Sequence, residues 1–145
     1  MYKATIAIGI VAAACVVIGC GSSSDETAEA AVTKAQFIKQ AEAICSKTQE
    51  QGRKARIAWE QENGEELDFH TAFKYIIGPS LEKQAEELES LQAPKGDEAR
   101  LARMTANLSR GAAGFTAAGT KSKTGSKFEA FQREAEAYGL VACRI

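Results

Sequence analysis

The chain has 145 residues, which suits a single domain, with 18 Lys+Arg against 19 Asp+Glu and a net charge of −1. That balance argues against nucleic acid as the main partner, because phosphate contacts need a clear excess of cations. Only 2 prolines, few β-branched runs and many Ala, Glu, Lys and Gln favour an all-α fold.

Residues 1–3 carry one cation, Lys3, and residues 4–19 carry no charge at all. As a helix this apolar run spans about 24 Å, short of the ~30 Å hydrocarbon core of a bilayer. A signal-peptide apolar region ending in a small residue fits it better than a transmembrane helix. The run closes on Val17-Ile18-Gly19-Cys20. These four residues resemble the lipobox of bacterial lipoproteins: an aliphatic residue, a small or aliphatic one, Gly or Ala, then Cys. Ile18 is bulkier than usual at its position. The resemblance implies a diacylglyceryl thioether on Cys20, cleavage before it and acylation of the new amino group. Only a thiol takes that alkyl group, and two acyl chains anchor stably where one is marginal. The competing readings are an ordinary secretory signal cut nearby and an uncleaved anchor. Cys15, inside the run, reads as a small hydrophobe discarded with the signal.

The predicted organisation is therefore a signal peptide over 1–19, a lipidated tether over 20–32 and a helical domain over 33–145. Lys3 leaves with the signal, so 17 cations face 19 anions and the mature charge is −2. Gly21 to Glu29 holds no large apolar residue and reads as a flexible spacer.

A helical period begins near Val32. Thr33 and Gln36 have capping-box spacing. Phe37, Ala41, Ile44, Thr48, Ala55 and Trp59 lie on one face of a helix that should end at Asn63-Gly64, with Gly52 a weak point. Leu67, Phe69, Phe73, Ile76 and Ile77 suggest a second buried face. Gly78-Pro79 then forces either a kink or a new helix with Pro79 in its first turn, and Leu81, Ala85, Leu88 and Leu91 continue the stripe. Ala93-Pro94-Lys95-Gly96 is a turn. Asp97 can cap a third helix with an apolar face of Leu101, Met104, Leu108, Ala112 and Phe115. Gly111, Gly114 and Gly119 thin its later turns and invite close approach by another helix. A loop over 119–125 comes next. Ser126 and Glu129 have capping-box spacing, Phe128, Phe131, Ala135 and Tyr138 mark the last helix, and Gly139 suits its end. Leu140 and Val141 can fold back on the core. Short connections between four helical segments predict an antiparallel four-helix bundle, its second helix kinked or split at Pro79.

With Cys15 lost and Cys20 lipidated, Cys45 and Cys143 remain, an even number in an exported domain, where oxidising conditions favour pairing. In an up-down-up-down bundle the chain end returns toward the early half of the first helix, where Cys45 sits. The rival roles are a reactive thiol, for which the chain offers only His70 as a basic partner, and a zinc site, which needs about four ligands. The segments Phe37–Cys45, Leu88–Asp97 and Tyr138–Cys143 resemble a set of small helical lipoproteins and exported proteins of actinobacteria, which pair an Ile-Cys helix with a Tyr-Gly-Leu-x-x-Cys ending. The match covers most of residues 34–143. It implies a fold and a compartment, the outer face of the cytoplasmic membrane, and brings no activity with it.

Groups for chemistry are sparse. His70 and Asp68 are two apart, so on a helix they point away from each other. Ser80 and Ser109 lack a Gly-x-Ser-x-Gly frame. Glu82, Glu86, Glu87 and Glu89 read as a solvated face. Glu60, Glu62, Glu65 and Glu66 cluster at a turn without the spacing of a calcium loop. Lys121, Lys123 and Lys127 decorate a loop able to touch anionic lipid or wall polymer. Trp59 reads as core, or as part of a binding patch if exposed beside Arg53 and Arg56. The expectation is a non-enzymatic envelope protein without metal or cofactor, anchored through Cys20, binding a protein or wall component. The alternative is a carrier of a small apolar ligand between the helices, with Gly111 and Gly114 leaving room.

Overall fold

The structure, a computed structural model, describes residues 31–118 and 125–144. The described residues are helical, with no strand among them. Helix α1 runs Lys34–Asn63, α2 Phe69–Ala72, a π turn Phe73–Ile77, α3 Gly78–Glu89, α4 Glu98–Ala118 and α5 Gly125–Tyr138. A 3-10 turn, Val141–Cys143, closes the chain.

The expected end signals operate where the spacing put them. The Thr33 hydroxyl accepts from the Gln36 N–H and the Gln36 side chain accepts from the Thr33 N–H, a complete capping box. Gly64, at φ 70°, ends α1 in the left-handed region. At the other end of the chain Gly139, at φ 104°, lets the Leu140 N–H reach back to the Ala135 carbonyl at 2.8 Å. That contact stops α5 and drives Leu140 into the core, while Val141 stays exposed. Ser126 is the second residue of α5. The predicted loop residues 119–124, with Lys121 and Lys123, lie outside the described residues, as do Cys15, Cys20 and the tether up to residue 30.

The second segment divides at Gly78-Pro79 as expected: a π turn ends at Ile77 and α3 starts at Gly78 with Pro79 in its first turn. The two elements join through one widened turn, in which the Gly78 N–H bonds to the Phe73 carbonyl five residues back. Pro79 has no N–H to give. One residue on, the Ser80 hydroxyl donates to the Ile76 carbonyl at 2.6 Å.

Helix α4 is the central element, packed on α3 and on α5, and α1 rests on α3 and on the C-terminal turn. The core joins Phe37 and Ala41 of α1, Leu81 and Leu88 of α3, Met104 and Leu108 of α4, and Phe131 and Ala135 of α5, all essentially buried. Each such Leu or Phe contributes about 1.5–3 kcal/mol by leaving water. A relay of rings, Phe73–Phe115 at 4.9 Å and Phe115–Phe128 at 5.2 Å, ties the π turn through α4 to α5. Gly111 permits the last of these contacts: a Cβ there would sit 2.8 Å from the Phe128 Cβ. The expected close approach is present, and it fills the space that Gly111 was expected to leave for a ligand.

Cys45 and Cys143 lie at disulfide distance, with Cα atoms 4.9 Å apart, and both are fully buried. Around them α1 grips the tail. The Glu42 carboxylate accepts from the Val141 and Ala142 N–H groups at 2.9 and 3.2 Å, and the Gln49 amide donates to the Ala142 and Arg144 carbonyls at 2.8 Å each. Both ends of the short 3-10 turn are thereby capped by one helix face. Gln84 is buried beside Cys45, donating to its Sγ at 3.3 Å, and its own carbonyl oxygen finds no protein partner.

Tyr138 is the second tie between the chain's ends. Its ring meets Phe37 edge-on at 5.8 Å, lies under the Lys34 ammonium at 4.3 Å, and its hydroxyl donates to the Asp97 carboxylate at 2.6 Å. Burial first, then that carboxylate, push its pKa upward from the ordinary value near 10. A raised folded-state value means stability that is complete below pH 10 and lost as the pH climbs above it, once the unfolded chain ionises. Tyr138→Phe should therefore cost roughly 1–2 kcal/mol at neutral pH, the worth of one hydrogen bond to a charged group. It should also flatten the loss of stability above pH 10. Urea titrations of both forms at pH 7 and at alkaline pH measure both effects; equal alkaline slopes would contradict the assignment.

Candidate binding groove

Helix α1 outruns the core. Its fully buried positions stop at Thr48, and Ala55, expected on the buried face, is exposed. Trp59 is half-buried and stands outside the core cluster. The reason is length: at 1.5 Å per residue a helix of 30 residues is about 45 Å long, whereas α3, its packing partner, has 12 residues.

Beyond Thr48 the two arms part and leave a groove of about 250 Å3. Leu67, Ala72, Ile76, Ile77 and Leu81 wall one side; Thr48, Gln49 and Gly52 of α1 wall the other. The π turn places Ile76 and Ile77 side by side on this wall. Few polar groups face the space, and two of those are spent elsewhere: Ser80 on the Ile76 carbonyl, Gln49 on the C-terminal tail.

Arg53 and Arg56 complete the lining, and no acidic residue contributes to it. Arg53 pairs with Glu50 through two bonds of 3.0 and 2.8 Å, and Lys54 shares the same carboxylate at 3.3 Å. These two cations, Arg53 first, hold the Glu50 pKa below the usual range. Arg56 lies 3.5 Å from Glu60. All three cations are more than half exposed, so these pairs are cheap to exchange for another anion.

The other sequence candidates do not converge. His70 is exposed on α2, and the Asp68 carboxylate caps that helix by accepting from the Thr71 N–H at 3.1 Å. The Thr71 side chain first, then that backbone bond, lower the Asp68 pKa, and His70 is only a minor contributor. Glu82 and Glu87 are half-buried and partnered across helices, not simply solvated: the Thr116 hydroxyl donates to Glu82 at 2.8 Å, and Lys47 meets Glu87 at 2.9 Å. Lys127 is exposed on α5. Among the described residues no three His, Cys, Asp or Glu side chains gather as a metal set, and no helix is long and apolar enough to cross a membrane. Two large aromatics, Phe69 and Tyr75, stand exposed near the groove wall. Sequence reasoning named Arg53 and Arg56 as the edge of a patch with Trp59 and looked for an apolar ligand space at Gly111; it did not place the groove at Gly52.

The chain matches no family model, and comparison with curated proteins and with solved structures gives no significant match either.

Proposed function

We propose that this is a lipid-anchored protein of the extracytoplasmic membrane face that works by binding and not by catalysis, with the α1–α3 groove as its working surface. The observation that carries the reading is an apolar groove that the fold leaves open although its core is otherwise closed. Anchoring through Cys20 rests on the lipobox pattern, and the cell-envelope setting on the buried pair Cys45 and Cys143, which suits an oxidising compartment. The helices are taken in up-down-up-down antiparallel order; the contacts of Phe37 and Asp97 with Tyr138 support it. The non-enzymatic part rests on the spread of His70, Ser80 and Ser109 over separate places without mutual contacts among the hydrogen bonds described.

Nile red, an uncharged dye that brightens in apolar surroundings, tests the groove. The membrane-extracted protein should bind it saturably, and Gly52→Leu, which adds a side chain inside the groove, should abolish the signal. Saturable binding untouched by Gly52→Leu would move the site elsewhere; no binding would remove the groove reading. The intact mass of the same preparation tests the anchor. A chain starting at Cys20 and heavier by a diacylglyceryl group is expected, and an unlipidated chain would refute it.

A further inference from the structure

Glycine inside a helix costs about 1 kcal/mol relative to alanine and needs a reason. Gly78 and Gly111 have one: an added Cβ would come within 2.6 and 2.8 Å of a neighbouring element. Gly52 has none of that kind. A Cβ built there meets nothing within 4 Å, and its helical backbone requires no glycine. What lies in front of it is the groove. Glycine at this position keeps the floor of an apolar space clear, at a cost in helix stability that packing does not explain.

The charges flanking that floor are arranged with one sign inward. Position 53 is adjacent to it and position 56 one turn on, both arginines, both lining the groove. The carboxylates that partner them, Glu50 and Glu60, are not in the lining. Arg53 and Arg56 are the charged residues of the lining itself, while Glu60, Glu65 and Glu66 gather on the other side of Arg56. Apolar walls with guanidinium groups at the edge suit a molecule with a hydrocarbon body and an anionic end. Guanidinium binds carboxylate through two parallel N–H donors, and exposed intrahelical pairs are cheap to trade for that geometry.

Volume narrows the class. An apolar cavity of about 150 Å3 takes up one benzene ring, and clefts for drug-sized ligands start near 300 Å3. At about 250 Å3 the groove is of a size for one hydrocarbon chain. Resting on the binding role proposed above, we infer that the groove takes a single-chain acyl anion, a free long-chain carboxylate, its tail between Ile76, Ile77 and Gly52 and its carboxylate at Arg53 and Arg56.

The test uses dodecanoate bearing a diazirine on its terminal carbon, added to the membrane-extracted protein and activated by light. Cross-links are expected on peptides covering Leu67–Leu81 and the Gly52 turn. Unlabelled dodecanoate should compete about tenfold better than dodecanol, the worth of one charge-assisted contact at a half-exposed site. Arg53→Gln with Arg56→Gln should erase that preference and leave tail labelling in place. Gly52→Leu should lose the labelling while melting at or above the wild-type temperature, since leucine is the better helix former and the space is free. Equal competition by dodecanol and dodecanoate would overturn the anion and leave the groove. Stronger competition by a two-chain phosphatidylglycerol would overturn the single chain. Nile red binding without diazirine labelling would refute the acyl ligand alone; loss of both would bring down the binding role with it.

Discussion

Replacing both buried cysteines, Cys45→Ala with Cys143→Ala, is expected to cost about 4 kcal/mol. The two residues close a loop of 98 positions, and cross-linking a loop of that size removes unfolded-chain entropy worth about 4–5 kcal/mol, with measured losses of about 2–5. Alanine is the right replacement because both sites are fully buried, and serine would add two buried hydroxyls to the balance. Against a total stability of roughly 5–15 kcal/mol this is a large share. The melting temperature should fall by about 15–30 °C for a domain of this size. The effect should originate in the unfolded state, so the denaturant slope should rise as that state opens out. A loss below about 1 kcal/mol with an unchanged slope would mean that the bond constrains little beyond what the tail contacts already hold. Those contacts predict a graded outcome: Leu140, Glu42 and Gln49 still hold the C-terminal turn when the cross-link is gone. Hydrogen exchange in residues 139–144 should accelerate less than global unfolding would give.

The pairing of those cysteines was legible because it needed only a count, a compartment and a chain direction. The helices were legible for a similar reason. Phe37, Ala41 and Thr48, or Leu101, Met104, Leu108 and Ala112, repeat at helical spacing, and Thr33, Gly64 and Gly139 are end signals that act within a few residues. Failures came where a contact crosses between elements. Ala55 and Trp59 keep the period of α1, yet period says nothing about where the partner helix stops. Gly78-Pro79 announces where α3 starts, but not the widened turn before it, which depends on the Gly78 N–H reaching the Phe73 carbonyl. Phe69 fits the apolar stripe and is two-thirds exposed: it opens α2 and meets the ring of Phe73 at 4.3 Å, while Phe73 itself packs on the core. Glu42 and Gln49 carry no mark in the sequence of the tail they clamp from about 100 positions away. The groove belongs to this second kind. It is the space left by two helices of unequal length, and no residue type marks a space except a glycine without a neighbour.

Gly78→Ala should be the most damaging single-atom addition in the chain, at about 3 kcal/mol, the upper end for overpacking a core. The new Cβ would lie 2.6 Å from the Thr116 hydroxyl, 2.8 Å from the Phe73 carbonyl oxygen and 2.9 Å from the Thr116 amide nitrogen. Two of those three atoms are backbone, and they belong to opposite sides of the α3–α4 contact, so no rotamer change relieves the clash. Helix α4 must move away, or the π turn must rewind, and either shift carries Ile76 and Ile77 with it. Helix propensity pulls the other way, because alanine is the better helix former by about 1 kcal/mol. Gly52→Ala isolates that term: with open space around its Cβ it should gain about 0.5–1 kcal/mol. The two substitutions are the same chemical change in the same kind of backbone, so opposite signs would attribute the difference to the packing at Thr116 alone. Chemical denaturation of the pair reads both signs. Destabilisation of both would mean that α1 also needs its glycine for packing, and a stable Gly78→Ala would mean that α3 and α4 do not approach as closely as the contact requires. If the signs hold, Gly78→Ala should also weaken Nile red binding under conditions where the protein stays folded. The glycine that lets α3 close on α4 also positions the wall of Ile76 and Ile77 facing Gly52.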